Sequence, residues 1–166
     1  MGFLISVKNY LEDVNIVSIL IRMILAIICG GVIGLEREDK NRPAGLRTHV
    51  LVCIGAAVVM LTAQNMYNRF DEFDISRMGA QVVSGIGFLG AGTIIISRGH
   101  VRGLTTAAGL WAVACVGLAI GIGFYSGAII GTLFIFLSMV FLRRFSHKFQ
   151  DASKNMDIYV EIDKTK

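Results

Sequence analysis

The stretch that decides the fold is GLTTAAGLWAVACVGLAIGIGFYSGAIIGTLFIFLSMVFL, from Gly103 to Leu142, which carries no charged residue. As one α-helix, its 40 residues would extend about 60 Å, twice the roughly 30 Å hydrocarbon core of a bilayer. One helix is therefore too long, and two crossings are predicted. The least apolar part, GIGFYSG at 121–127, divides the stretch into spans near 104–122 and 125–142.

Three further apolar runs of membrane-spanning length precede this stretch. They are Val14–Leu35, with Arg22 as its single charge, Thr48–Asn68, with His49 near its start, and Met78–Ser97, which has no charge. The composition agrees, because 54% of the residues are hydrophobic and only 17% are charged, too few to cover a soluble domain. We therefore predict an all-α membrane protein with five transmembrane helices.

The positive-inside rule orients these helices. Basic residues concentrate in 36–47, in 98–102 and at the start of a basic tail 143–166, whereas 69–77 carries three acids. All basic segments lie in the cytoplasm only if segment 1–13 is extracytoplasmic, followed by a transmembrane domain 14–142 and a cytoplasmic C-terminus. The pI of about 9.2 follows from these loops, so no nucleic acid partner is predicted.

Glycines in the third span have the G-x-G-x-x-G spacing of a dinucleotide-binding turn. That turn needs a strand before it and a helix after it, and neither fits a membrane span. We interpret these glycines as helix-packing residues, since small side chains let membrane helices approach closely. The alternative is that glycine is simply common in transmembrane helices. The glycines assigned to helix packing are Gly30, Gly34, Gly85, Gly87, Gly90, Gly117 and Gly121.

Small residues also form two offset faces on the third helix, Ala80 with Ser84 and Gly87 with Ala91. A helix with two such faces is expected to pack on both sides. This pattern predicts that the third helix lies at the centre of the bundle.

An internal repeat relates the first two helices to the next two. RMILAIICGGVIG from Arg22 is similar to RMGAQVVSGIGFLG from Arg77, and a glycine-leucine pair follows each basic loop, at Gly45 and at Gly103. The repeat predicts two tandem helical hairpins of the same orientation, related by an axis along the membrane normal, plus a fifth helix. Chance similarity between glycine-rich helices is the alternative.

Polar residues near the outer ends of the helices form one candidate cluster. Arg22 lies about two turns into its helix, and Arg77 stands at the outer mouth of the third span beside Asp74, with Gln81 one turn below. Ionisable groups at membrane depth are costly and should have partners. We therefore predict a cluster of these four residues; interfacial snorkelling with an ordinary surface ion pair is the alternative.

A second candidate cluster lies at the cytoplasmic ends. The second and fourth helices both begin there, each with an arginine and one or two hydroxyls nearby, which suits an anion because helix N-termini carry unpaired N–H groups. Alternatively, a threonine only caps its helix and Glu36 only neutralises Arg47. The candidate residues are Glu36, Arg37, Arg47, His49, Arg102, Thr105 and Thr106.

The sequence contains no pattern of catalytic or metal-binding residues. His49, His100 and His147 lie at separate polar edges, away from any Ser/His/Asp spacing or cluster of ligands. Three cysteines, an odd number inside apolar runs, argue against disulfides and zinc. We predict no enzyme activity, no cofactor and no metal site.

Three motifs, GGVIGLERE…RPAGLRTH, SRMGAQVVSGIGFLGAGTII and VRGLTTAAGLW, closely resemble the MgtC/SapB family of bacterial inner-membrane proteins. The resemblance implies a multi-pass protein of the cytoplasmic membrane, linked to magnesium homeostasis, growth at low magnesium and virulence. Many members continue into an ACT-like regulatory domain, whereas the tail here contains one strand-like run, 157–162. Because a single strand does not fold alone, we expect the tail to be disordered, paired with a second subunit, or a remnant of that domain. The matching positions are Glu36, Arg37, Arg47, Asp74, Arg77, Gln81, Gly85, Gly87, Gly90, Arg102, Thr105 and Thr106.

Two functions fit this family. The first is a non-enzymatic regulator that binds another membrane complex, which the resemblance implies to be the F-type ATP synthase. Short loops and many small-residue faces suit a homo-oligomer, and a dimer is favoured. The alternative is a transporter or channel for a small ion or anion. Mg²⁺ requires hard oxygen ligands, and Asp and Glu occur only at the borders of the predicted membrane core.

Overall fold

The computed structural model describes residues 13–70, 74–97 and 100–150 of the chain. In chain order the elements are α1 (Ile16–Asp39), α2 (Leu46–Tyr67), α3 (Ile75–Gly92), β1 (Ile95–Ser97), β2 (His100–Arg102), α4 (Leu104–Gly121) and α5 (Tyr125–Gln150). The predictions for the N-terminal segment up to residue 12 and for the strand-like run 157–162 lie outside the described residues.

The predicted all-α membrane fold with five helices is confirmed. Within the described ranges, α1, α2 and α4 are long and apolar enough to cross a membrane, and α5 contributes the shorter apolar helix Tyr125–Phe141. Of the described residues, those up to Phe136 belong to one compact unit and those from Leu137 belong to a second. All the contacts described below lie within the first unit.

The third predicted span, Met78–Ser97, is only partly helical. Helix α3 begins at Ile75 and ends at Gly92, and β1 and β2 form a short antiparallel hairpin with Ile96 opposite Val101. Gly103 then turns the chain into α4 with φ of 95°, and a Cβ there would collide with the Thr93 carbonyl. The run of β-branched residues after Gly92 and this left-handed glycine explain why the helix stops early.

Helices α2 and α4 lie next to each other at the centre of the bundle. Helix α1 packs on α2 and α4, and α3 packs on α4 and α2. Glycines contact the following helix in both hairpins, since Gly34 lies against Leu46 and His49 while Gly90 lies against Ala107. This arrangement is the one that two tandem hairpins related by an axis along the membrane normal would produce.

The expected central position of α3 is incorrect, because α4 occupies it. Nine residues of α4 are buried, from Thr106 to Gly121, whereas α3 buries only Gly79, Ile86 and Gly90. Small residues show that a helix can be approached closely, but not that another helix of the same chain lies there.

Four of the packing glycines sit at very close helix contacts. A Cβ added to Gly30 would lie 2.9 Å from the His49 carbonyl oxygen, and one on Gly34 would lie 2.7 Å from the Leu46 Cα. On Gly121 it would lie 2.5 Å from the Ala57 carbonyl oxygen, and on Gly117 it would collide with the Cys53 carbonyl. The backbones at these contacts leave no room for a side chain.

The remaining three glycines, all on α3, behave differently. A Cβ on Gly90 would make only an ordinary contact, 3.5 Å from the Ala107 Cβ. At Gly85 and at Gly87 it would meet nothing within 4 Å. The assignment of Gly85 and Gly87 to helix packing therefore does not hold within one chain, because both lie on the side of α3 that faces away from α2 and α4.

Candidate functional site

Arg22 is completely buried although it belongs to an apolar helix, at 0% exposure. Its Nη1 donates to Gln64 Oε1 at 2.6 Å and to the Gly121 carbonyl oxygen at 2.7 Å, and its Nε donates to the Tyr125 hydroxyl at 3.1 Å. The guanidinium carbon also lies 5.9 Å from the centroid of the Tyr125 ring, a cation–π distance. These residues form the Arg22 cluster, which joins α1, α2, α4 and α5.

The ends of two helices explain why a cation is tolerated in this position. Helix α4 ends at Gly121 and α2 ends at Tyr67, one turn beyond Gln64. Carbonyl groups in the last turn of a helix lack intrahelical partners and carry a partial negative charge. The guanidinium donates a hydrogen bond to one of these carbonyls, that of Gly121. The bond gives the carbonyl a partner and places the positive charge of Arg22 beside a partial negative charge.

The composition of this cluster differs from the one predicted. Arg22 was expected to meet Asp74, Arg77 and Gln81, but all three are exposed on α3, which makes its main contacts with α4 and α2 rather than with α1. The arginines at equivalent repeat positions therefore have opposite environments, since Arg22 is buried and Arg77 is exposed.

Asp74 caps α3. Its Oδ1 accepts from the Ser76 backbone N–H at 2.9 Å and from the Ser76 hydroxyl at 2.6 Å. These hydrogen bonds, with a smaller contribution from the charge of Arg77, hold the pKa of Asp74 below its usual value. Asp74 therefore stabilises the start of a helix, as carboxylates at this position do.

Gln64 and Tyr125 were not predicted from the sequence as partners of Arg22. Gln64 and its neighbour Asn65 are amides in the last turn of a largely apolar span, and Tyr125 lies in the weak point 121–127 between two spans. Both positions are predicted to lie at the same membrane level as Arg22, which is the signal that could have identified them. The membrane level alone does not show that Gln64 and Tyr125, rather than Gln81, contact Arg22. Which residues contact Arg22 depends on the order of the helices in the bundle.

The opposite end of the bundle holds a second group of polar residues, the His49 cluster of Glu36, Arg37, Glu38 and His49. Arg37 is 3% exposed and forms an ion pair with Glu36, the preceding residue. Glu38 Oε2 accepts from the Leu46 N–H at 2.8 Å and so caps α2. Gly45 permits this approach, because a Cβ there would lie 2.9 Å from the same oxygen.

His49 is completely buried on the first turn of α2. Its Nδ1 lies 2.9 Å from the Gly45 carbonyl oxygen, which can only accept, so Nδ1 carries a proton and donates. Its Nε2 is then the one buried side-chain N or O atom in the described part of the chain that has no hydrogen-bond partner. A buried polar atom left in this state costs about 1–3 kcal/mol.

The other residues of the predicted anion site are dispersed. Arg47, Arg102 and Thr105 are exposed, whereas Thr106 is buried. Neither threonine caps α4, since Gly103 is the N-cap and no side chain bonds there. Glu36 pairs with Arg37 rather than with Arg47. The structure thus brings Glu36, Arg37 and His49 together and leaves the three remaining exposed groups at the surface.

Comparison with known proteins identifies the family. The model of the MgtC family matches residues 23–148. The chain belongs to the MgtC family. The predicted resemblance is confirmed, and the protein is a multi-pass membrane protein. No solved protein structure matches this MgtC-family chain.

Curated MgtC-family relatives are similar over most of this chain. "Putative magnesium transporter YhiD" of Escherichia coli K12 is 37% identical over 146 residues, which cover 84% of this chain and 67% of that protein. "Protein SapB" of Bacillus subtilis is 41% identical, over 75% of this chain and 56% of the relative. "Protein MgtC" of Salmonella typhimurium is also 41% identical, over 75% and 52%. The chain thus spans between about half and two thirds of the length of these relatives.

Both clusters belong largely to the MgtC-family region. The matched region begins at Met23, one residue after Arg22, and includes Gln64, Gly121, Tyr125 and the whole His49 cluster. Among the described residues of this MgtC-family chain, no group of three His, Cys, Asp or Glu side chains is placed to hold a metal ion.

Proposed function

We propose that this MgtC-family protein is non-enzymatic and acts in magnesium homeostasis by binding and regulating another membrane complex, for which the F-type ATP synthase is the candidate. The name of one relative, "Putative magnesium transporter YhiD", supports the link to magnesium. The proposal that the protein regulates another membrane complex rests on the family resemblance and on the way the helices pack.

The close packing between the two clusters is the observation that favours a regulator. The bundle core there consists of fully buried apolar residues such as Ile33, Cys53, Ala57 and Val113. At Gly30, Gly117 and Gly121 the neighbouring backbones approach too closely to admit even a methyl group. A hydrated ion passing from one cluster to the other would have to separate α2 from α1 and α4. Such a bundle suits a protein that acts through its outer surfaces.

The charges of the buried side chains also help to distinguish a regulator from a Mg²⁺ transporter. Two arginines, Arg22 and Arg37, are buried, and the carboxylate of Glu36 is paired with Arg37. Mg²⁺ binds hard oxygen ligands in octahedral geometry and is repelled by guanidinium groups at short range. The buried residues therefore disfavour a Mg²⁺ pathway through one chain.

Inverted membrane vesicles from cells with and without this protein test the regulator function. At equal ATP synthase content, we expect the protein to reduce both ATP hydrolysis and ATP-driven proton pumping, and crosslinking in the same membranes to recover a synthase subunit. Gly117→Leu, which cannot fit against Cys53, is the misfolded control and should have no effect. Equal activity in all vesicles, or crosslinks that recover no other complex, would contradict the proposal.

Transport of a small ion is the second candidate, because one relative carries the name putative magnesium transporter. Flux of Mg²⁺ and of phosphate into proteoliposomes that contain only this protein tests it. If the wild-type protein transports either ion and Arg22→Ala or Arg102→Ala abolishes the flux, the protein is a transporter and the proposed regulator function is wrong. Background flux with the wild-type protein, together with an effect on the synthase, would rule transport out.

A further inference from the structure

Helices α1 and α3 occupy equivalent places in the two hairpins, but their outward faces differ. The outward face of α1 is built from large aliphatic side chains that lipid can solvate well. They are Ile16, Val17, Leu20, Ile21, Ile24, Ile27, Ile28, Val32 and Leu35.

The outward face of α3 is small and polar instead. Phe88 and Leu89 are its only large hydrophobic residues among those that are exposed, Phe88 at 85%. Around them lies open space, since a Cβ on Gly85, Gly87 or Gly92 would meet nothing within 4 Å. The exposed residues that define this α3 face are Asp74, Arg77, Ala80, Gln81, Ser84, Gly85, Gly87, Phe88, Leu89, Ala91 and Gly92.

Contact with lipid would be costly for this surface. Gln81 lies about 9 Å along α3 from its first residue and is exposed, so in a lone bundle its amide would face hydrocarbon. A polar group without a partner in that environment is expensive. Small residues and a polar amide interact poorly with lipid chains. The same groups favour packing against another helix, because they allow close approach and hydrogen bonding.

We propose that the α3 face is covered by the same face of a second copy, with the two α3 helices parallel about a two-fold axis along the membrane normal. In a two-fold symmetric interface, each group lies opposite either the equivalent group or a complementary group of the second copy. A glutamine amide both donates and accepts, so Gln81 can bond with its equivalent.

The charged groups at the start of α3 are self-complementary as well. Asp74 and Arg77 lie one turn apart, so a two-fold axis beside them brings the arginine of one copy towards the carboxylate of the other. Gly85, Gly87 and Gly92 give the backbones room to approach, and the two Phe88 rings fill the space beside them. A second copy therefore satisfies the apolar, hydrogen-bonding and charged parts of the surface together.

Cysteine crosslinking in native membranes tests this interface. The native Cys29, Cys53 and Cys115 are first replaced by alanine, and Ser84→Cys on the α3 face is compared with Ile24→Cys on the lipid face of α1, where Ile24 is 56% exposed. Oxidation should convert most of the Ser84→Cys protein, and little of the Ile24→Cys protein, into a species of twice the mass. Equal crosslinking of both, or an adduct of any other mass, would overturn the proposal.

A bulky substitution provides a second test that does not depend on oxidation. Gly87→Leu places its side chain in open space, so a single bundle should fold as before, with unchanged helix content. We expect the wild-type protein to be dimeric in mild detergent by light scattering, and Gly87→Leu to be monomeric. The matched control Ile24→Ala should remain dimeric. A monomeric wild type, or a dimer that survives Gly87→Leu, would show that α3 does not hold the second copy.

Discussion

Arg22 and Gln64 form a hydrogen bond across the bundle, with 2.6 Å between Nη1 and Oε1 and a separation of 42 positions along the chain. This bond, together with the one to the Gly121 carbonyl, fixes the rotation of α1 relative to α2 and α4. The close contacts of Gly30 and Gly34 with α2 turn the same side of α1 inward. The Arg22 cluster therefore gives α1 a defined orientation in the bundle.

Removal of this arginine should destabilise the fold. Arg22→Ala removes the donor to the Gln64 amide and leaves the buried Gly121 carbonyl without the bond from Arg22. An unsatisfied buried carbonyl costs about 1–3 kcal/mol, and the lost bond to Gln64 adds to that cost. We expect a loss of at least about 2 kcal/mol in the free energy of unfolding in detergent. Arg69→Ala, an exposed arginine near the end of α2, is the control and should change it by less than about 0.5 kcal/mol. Similar losses in both variants would contradict the assigned role of Arg22.

The Tyr125 hydroxyl and the Tyr125 ring can be separated. Tyr125→Phe removes the acceptor 3.1 Å from Arg22 Nε but keeps the ring near the guanidinium, so we expect a loss of about 0.5–1.5 kcal/mol. Tyr125→Ala removes both contacts and should cost clearly more. Thermal unfolding in one detergent measures both variants, and equal losses would mean that the ring contributes nothing.

Glycine-to-alanine substitutions should have opposite effects at two positions. At Gly117 the new methyl collides with the Cys53 carbonyl, so we expect a loss of about 1–3 kcal/mol from overpacking. At Gly55, in the middle of α2, the methyl meets nothing within 4 Å, and alanine should stabilise the helix by up to about 1 kcal/mol. A Gly117→Ala variant that unfolds at the same free energy as the wild type would show that the α2–α4 contact is looser than described.

The cap of α3 should depend on pH. The folded-state pKa of Asp74 is depressed, so its contribution to stability is present above the ordinary carboxyl pKa and is lost as the pH falls through the lowered value. Asp74→Asn keeps an oxygen that can accept from Ser76 but removes the charge. The stability difference between wild type and Asp74→Asn should therefore be largest at neutral pH and disappear in acid. A difference that is independent of pH would mean that the charge of Asp74 has no role.

The sequence alone determined the class of fold and the number of helices. Uninterrupted apolar length and glycine spacing are local properties, and they predicted five helices, the two hairpins and the close contacts at Gly30, Gly34, Gly117 and Gly121. The family followed from motifs that are also local. The end of α3 was misplaced because one apolar run contains both a helix and the first strand of a hairpin, at Gly92 and Ile95.

Only the tertiary structure decided which faces meet. Arg22 and Arg77 occupy equivalent places in the repeat, yet one is buried against Gln64 and Tyr125 and the other is exposed. The same difference separates Gly30 from Gly85. Helical periodicity shows which residues share a face, but the neighbour of that face depends on how all the helices are ordered and rotated around one another. In this bundle α2 and α4 take the centre, so the outward side of α3 remains uncovered within one chain.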